Sequence, residues 1–111
     1  MGTINQAFVL GHLGADPEFQ VTPAGHSRAL FSLATHHSAG EDTKVVTWHK
    51  VKAWRHNAEV ARDHLHKGDC VAISGRVVHE EWTDKSGEPR RSTIILADRL
   101  TLVGKRTITG S

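Results

Sequence analysis

Residues 47–54 alternate at a period of two, the spacing that a β-strand imposes when its two faces meet different surroundings. The even positions carry two indoles and two ammonium groups: Trp48, Lys50, Lys52 and Trp54. The odd positions carry smaller side chains: Thr47, His49, Val51 and Ala53. An apolar core accepts the second set and rejects the lysines of the first. The segment is therefore predicted to be a strand that packs one face against a core and exposes the other.

Two indoles beside two cations form a surface that fits a partner with flat rings and regularly spaced negative charge. Single-stranded nucleic acid has both, because its bases stack on aromatic rings while its phosphates pair with cations. The alternative is structural: the tryptophans pack beneath a helix, and the lysine side chains extend past them into water. The segment alone leaves both interpretations open.

The composition is that of one small globular domain. Of the 111 residues, 38% are hydrophobic and 23% are charged, which is enough for one modest core. The net charge is only +2, but residues 43–57 contain no acid and carry these cations: Lys44, Lys50, Lys52 and Arg55. The positive charge is therefore concentrated beside the tryptophans, as in a local binding surface for a polyanion.

Secreted and membrane-bound classes of protein are disfavoured. Cys70 is the only cysteine, so an intramolecular disulfide cannot form. No apolar run approaches the ~20 residues of a membrane span, and no signal peptide is evident. We therefore expect a cytoplasmic location and no membrane partner.

Catalytic and metal-binding motifs are missing from the sequence. It has no nucleophile elbow and no glycine-rich phosphate loop. Glu80 and Glu81 are adjacent on a predicted strand, so they point to opposite faces and make a poor acid–base pair. The nine histidines show no zinc spacing with Cys70 or with one another. We expect a protein that is not an enzyme and that binds no metal or other cofactor.

The hydrophobic patterns predict strands at 4–13, 28–35, 44–54, 69–79 and 91–103, with a helix at 57–67. Asn57 is predicted to cap this helix, and Gly68 to end it after Lys67. A short further pairing is predicted at 19–21, a polar loop at 36–42, and a hairpin turn at Ser86 and Gly87. Five strands with one helix between the third and fourth predict an all-β fold, a Greek-key OB barrel. The domain is expected to span residues 1–104, followed by a short polar tail at 105–111.

Six short segments resemble the bacterial single-stranded DNA-binding proteins, in the order and at the spacing of that family. They are FVLGHLGADPE at 8–18, FSLAT at 31–35, TWHKV at 47–51, AEVA at 58–61, LHKG at 65–68 and WTDKSG at 82–87. The resemblance implies an OB barrel that binds single strands with little sequence preference and has no catalytic activity. It also implies a homotetramer acting in DNA replication, recombination or repair, and a nucleoid-associated location.

By position, the resemblance implies three base-stacking residues: Trp48, Trp54 and Trp82. Lys50 matches a phosphate-contacting position, as does Lys67 at the predicted helix end, and His49 matches a histidine near a subunit interface. We also expect these cations to contact nucleic acid: Lys52, Arg55, Arg76, Lys85 and Arg28.

The sequence departs from the family in several places. The loop after the second strand has no tryptophan, and Glu80 and Glu81 replace basic residues before Trp82. We expect these carboxylates to weaken phosphate contact along the hairpin, with compensation from Arg76, Lys85, Arg90 and Arg91. The outward residues of the fourth strand are small, which makes a dimer the fallback to the tetramer: Cys70, Ala72 and Ser74.

No acidic segment of the kind that recruits replication and repair enzymes follows Val103. Either the chain is a shortened one or it lacks this recruiting function, and such enzymes remain possible partners. Two other functions stay open. The first is a primosome-type adaptor that binds replication-restart proteins, although such adaptors generally lack this set of tryptophans. The second is RNA binding, because stacking surfaces do not distinguish the 2′-hydroxyl.

Overall fold

The computed structural model describes residues 2–104, so the predicted tail at 105–111 lies outside the described residues. The elements are β1 (Ala7–Leu13), β2 (Glu18–Val21), β3 (Ser27–Gly40), β4 (Thr43–Trp54), α1 (His56–His64), β5 (Cys70–Thr83) and β6 (Pro89–Gly104). Hydrogen-bonded strands follow the order β1-β5-β6-β4-β3-β2, and a β1–β3 pairing closes the barrel. Because β1 and β2 pair in succession with β3, they form one interrupted strand of a five-stranded barrel. The all-β OB fold with one helix is confirmed.

The core lies inside the barrel, where the inward residues of neighbouring strands meet. Its largest fully buried side chains come from β3, β4 and β5: Leu33, Val51, Val71 and Ile73. Ala53, two residues after Val51, is also fully buried, which confirms the predicted inward face at these two positions. On the same predicted face, His49 is half-buried and Thr47 is exposed. The helix covers one end of the core with Ala58 and Ala61.

Two glycines allow close approach between backbones. A Cβ at Gly11 would lie 2.5 Å from the carbonyl oxygen of Ala34 on β3. Gly75 lies at a β-bulge in β5, where a Cβ would collide with the backbone of Leu96 on β6. Each of these glycines therefore lets a neighbouring strand approach closely.

The predicted polar loop at 36–42 is wrong in most of its length, because β3 continues to Gly40 and pairs with β4. His36 pairs with Val46, and His37 pairs with Val45. The side chains of 36–40 are exposed, so no burial pattern marks this stretch as strand. Backbone pairing with β4 extends it beyond the barrel instead.

The helix is shorter than predicted, and its predicted cap is wrong. Asn57 lies inside the first turn, and its amide donates hydrogen bonds to the carbonyl oxygens of Ala97 (3.4 Å) and Asp98 (3.1 Å) on β6. The helix ends at His64, which is exposed, so Lys67 lies in the following turn rather than at the helix end. Among residues 2–104, no helix is long and apolar enough to cross a membrane.

Arg55 precedes the helix in a backbone conformation that favours glycine, with φ 57° and ψ −122°. Its N–H donates to the carbonyl oxygen of Ser27 (2.8 Å), and its own carbonyl accepts from the N–H of Glu59 (3.0 Å). These bonds on both sides hold the residue in place. The conformation is therefore maintained at a cost to stability.

We predict that Arg55→Gly stabilises the fold, because glycine adopts this conformation without a clash at Cβ. The expected gain is about 1 kcal/mol, after the larger chain entropy of unfolded glycine is subtracted. In a domain of this size that raises the melting temperature by roughly 4–8 °C. Arg55→Ala is the matched control, since it removes the same charge but keeps Cβ. Equal melting temperatures for the two variants would contradict the prediction.

Candidate nucleic-acid interface

An open groove of about 700 Å³ crosses the outer surface of the barrel. Its walls come from β3, β4, the β5–β6 hairpin, and the segment that runs from Gly14 to the start of β2 at Glu18. Alternation along β4 points one side-chain set into the groove while the other enters the core. The groove brings together five residues predicted from the sequence: Arg28, Trp48, Lys50, Lys52 and Trp82.

Trp48 and Trp82 are the aromatic surfaces of this groove. Trp48 on β4 is 57% exposed, and Trp82 on β5 is 49% exposed. Gly14 lies against the Trp48 ring, and a Cβ there would be 2.6 Å from Cζ3 of the indole. Half-exposed indoles in a concave surface are suited to stacking on flat ligands such as bases.

Trp54 is half-buried at the end of β4 and does not line the groove. It lies beside the groove residues, however. Its strand partner is Arg28 on β3, and the Nζ of Lys52 is 6.0 Å from the centre of its ring. Trp54 is therefore placed to support the groove more than to form its surface.

The two lysines of β4 have different surroundings. Lys50 is exposed, with its Nζ 3.5 Å from the hydroxyl of Ser92, and within residues 2–104 it has no carboxylate partner. The Lys52 side chain is only 12% exposed, and its Nζ lies 2.5 Å from Oε2 of Glu80. Lys50 therefore offers an uncompensated charge to the groove, whereas the charge of Lys52 is already balanced.

Three acidic residues line the groove, and sequence analysis expected an effect on binding from Glu80 alone among them. They are Asp16, Glu18 and Glu80. The sequence did contain a signal for Glu80, because a strand places positions 80 and 82 on the same face. Asp16 has a structural role, since its carboxylate accepts a hydrogen bond from the backbone N–H of Lys67 (2.8 Å).

Four of the predicted cations are exposed but lie outside the groove: Arg55, Lys67, Arg76 and Lys85. They come from the helix start, the turn after the helix, β5 and the hairpin tip. Only a nucleic-acid strand that extends beyond the groove would reach these four cations.

The tip of the β5–β6 hairpin is held by Asp84. Its carboxylate accepts hydrogen bonds from Nε of Arg90 (2.8 Å) and from the N–H groups of Glu88 and Ser86 (2.9 Å each). These hydrogen bonds hold the pKa of Asp84 below its usual value, and the bond from Arg90 contributes more than those from the backbone. Arg90 is thus already paired with a carboxylate of its own hairpin.

Arg91 has an acidic neighbour on the same hairpin as well. Its Nε lies 3.9 Å from Oε1 of Glu81. The compensation expected from Arg90 and Arg91 is therefore reduced, since each has an acidic neighbour. Within residues 2–104, no cluster of three His, Cys, Asp or Glu side chains could hold a metal ion.

Comparisons with known proteins agree with this geometry. The model of the single-strand binding protein family matches residues 4–103. The chain is 39% identical over 103 residues to a single-stranded DNA-binding protein of Deinococcus radiodurans, which covers 89% of this chain and 34% of that relative. The chain thus spans about a third of the length of the curated relative it matches. The family consists of binding proteins, which confirms the prediction that this chain is not an enzyme. The barrel, the groove tryptophans and the match over residues 4–103 lead to one conclusion: the chain belongs to the single-strand binding protein family.

Proposed function

We propose that this chain binds single-stranded DNA with little sequence preference and protects it during replication, recombination or repair. The observation that carries the proposal is the placement of two half-exposed indoles, Trp48 and Trp82, in one groove with the uncompensated cation of Lys50. Bases stack on the indoles, and a phosphate pairs with the ammonium group. Family membership and the printed name of the Deinococcus relative support the choice of DNA.

The other predicted contacts have different parts in this proposal. Arg28 and Lys52 lie within the groove, and Trp54 stands beside it. A longer strand leaves the groove and follows the outer cations: Arg55, Lys67, Arg76 and Lys85. A cytoplasmic, nucleoid-associated location follows from this function.

Tryptophan fluorescence tests the proposal during titration with oligo-dT at low and high salt, with duplex DNA as the control. We expect deep, saturable quenching by the single strand and little by the duplex, because paired bases cannot stack on protein rings. Unchanged fluorescence with tight binding would show that the tryptophans are structural and the cations bind alone. No binding would favour the adaptor that contacts replication-restart proteins, and tighter binding of oligo-U would favour RNA.

Replacing Trp48 separates stacking from charge. We predict that Trp48→Ala weakens binding to oligo-dT, oligo-dC and oligo-dA by a similar factor, about tenfold, since a stacking surface contributes ~1–3 kcal/mol per base. Trp48→Phe is the matched control and should keep most of the affinity, because it keeps a ring. Equal loss in both variants would contradict a stacking role.

Replacing Lys50 tests the phosphate contact. We predict that Lys50→Ala weakens binding and reduces the slope of log affinity against log salt by ~0.7, the value for one phosphate of a single strand. Lys50→Arg keeps the charge and should keep the slope. A slope that is the same in all three proteins would remove Lys50 from the phosphate contacts.

We also propose that the protein is a homotetramer, with a dimer as the fallback, and that β1 forms one of its subunit contacts. β1 pairs with β5 along its length but with β3 only at His12 and Leu13, so within the described chain residues 7–10 have an open backbone edge. The outward side chains there are apolar: Phe8 is 74% exposed and Leu10 is 50% exposed. An open edge beside exposed apolar side chains is suited to pairing with a second copy.

One residue of β4 was expected to lie near a subunit interface. This residue, His49, is half-buried, and its Nε2 lies 2.9 Å from the hydroxyl of Thr35.

We also propose replication and repair proteins as binding partners of this chain.

The subunit surface is tested by Leu10→Asp. We predict that it lowers the molar mass measured by light scattering during gel filtration, because association would bury an unpaired carboxylate. Val21→Asp is the control, since Val21 is also exposed (60%) but belongs to β2 rather than β1. An unchanged mass for Leu10→Asp would show that β1 is not the interface.

A further inference from the structure

One residue of the groove has no side chain, and it lies directly against an aromatic ring. Gly14 follows β1 and lines the groove together with Trp48. A Cβ at Gly14 would lie 2.6 Å from Cζ3, 2.7 Å from Cη2 and 3.7 Å from Cε3 of the Trp48 indole. Carbon atoms in contact are normally about 3.5–4.0 Å apart, so the first two distances are clashes. A side chain at position 14 and the ring in its present place therefore exclude each other.

The backbone of Gly14 does not itself require glycine. Among residues 2–104, four glycines have the left-handed φ values that favour this residue, and Gly14 is not one of them. They are Gly25, Gly40, Gly68 and Gly87. The three heavy atoms nearest to a Cβ at Gly14 all belong to Trp48, whereas at Gly11 the nearest is a backbone oxygen. The ring, and not the local conformation of the chain, therefore explains the missing side chain.

A methyl group at position 14 would force either the backbone or the ring to move. The backbone is held by hydrogen bonds: the N–H of Leu13 donates to the carbonyl oxygen of Asp69 (3.0 Å), and the N–H of Gly14 donates to that of Ser32 (3.2 Å). The carbonyl oxygen of Leu13 accepts from the N–H of Gly68 (2.9 Å). The indole is 57% exposed, and the clashing atoms are the outer ones of a flexible side chain. The ring is therefore the part that would move.

We propose that Gly14 is a positioning residue for DNA binding, because its missing side chain leaves the space in which the Trp48 ring is held ready for a base. This inference rests on the proposed function and gives a part in it to a residue that has no stacking or charged group of its own. Ordering a side chain during association costs affinity, so a ring that is already in place binds more tightly. A methyl group at position 14 would displace the ring, and the bound strand would have to restore it against the clash.

The test is a double-mutant cycle between positions 14 and 48. Gly14→Ala introduces the clash. Trp48→Phe removes it, because a phenyl ring has no counterpart of the outer indole atoms Cζ3 and Cη2. A third variant carries both changes. Gly104→Ala is the matched control, since a Cβ at Gly104 would meet nothing within 4 Å.

Three measurements are made on each protein. The anisotropy of a labelled oligo-dT strand gives the affinity without depending on the tryptophans. The melting temperature of the DNA-free protein reports on the backbone. Near-ultraviolet circular dichroism of the DNA-free protein reports on the surroundings of the indoles, so it detects a displaced ring that leaves the fold intact.

We expect Gly14→Ala to weaken oligo-dT binding about fivefold, which is the scale of ordering one side chain on association. Its melting temperature should stay within about 4 °C of the native value, because an exposed ring moves at little cost. Its near-ultraviolet spectrum should differ from that of the native protein. Both the loss of affinity and the spectral change should disappear when Gly14→Ala is made in Trp48→Phe. Gly104→Ala should change neither.

Native affinity in Gly14→Ala would overturn this inference and leave the proposed function intact. An equal loss of affinity in the native and Trp48→Phe backgrounds would also overturn it, because the effect would then not pass through the ring. An equal fall in melting temperature in both backgrounds, or a failure to fold in both, would show that Gly14 serves the backbone instead. Rescue of the fold by Trp48→Phe would support the clash with the ring. No binding of oligo-dT by the native protein would overturn the proposed function and the binding role of Gly14 together.

Discussion

The structure depends on the alternation of β4, because this one strand contributes to both the core and the groove. Val51 and Ala53 are fully buried, while Trp48 and Lys50, on the alternate positions of the same strand, are exposed. A slip of one residue would exchange the faces, exposing the core residues and burying a lysine. The burial of Val51 therefore also fixes which face of β4 carries Trp48. A substitution that shifts the register of this strand would change both the core packing and the groove surface.

The binding proposed for the groove depends more on stacking against ring surfaces than on charge. Lys52 is paired with Glu80, and on the hairpin Arg90 is paired with Asp84. These pairs leave Lys50 as an uncompensated cation of the groove among the residues described. A stacked base contributes ~1–3 kcal/mol, which exceeds the typical value of an exposed ion pair. Paired charges also keep the groove from acting as a general polyanion surface, which suits a protein with a net charge of only +2.

Most of the barrel and the aromatic part of the site were predictable, because period-two burial leaves a direct trace in the sequence. Features that depend on distant residues were not. Asn57 is a good local helix cap, but β6 residues 40 and 41 positions away accept its amide protons. The end of β3 has exposed polar side chains and no burial pattern. The pairing of Lys52 with Glu80 depends on two strands meeting across a groove, which spacing along either strand does not reveal.

The contact between Gly14 and the Trp48 ring links the groove to the turn that follows the helix. Gly14 lies in the gap between β1 and β2, and its N–H donates to the carbonyl oxygen of Ser32 (3.2 Å). The preceding carbonyl, of Leu13, accepts from the N–H of Gly68 (2.9 Å) in the turn after the helix. Since a Cβ at 14 would lie 2.6 Å from the ring, small shifts of this turn would be transmitted sterically to the indole. The position of the Trp48 ring is thus tied, through Gly14 and two backbone hydrogen bonds, to β3 and to the turn after the helix.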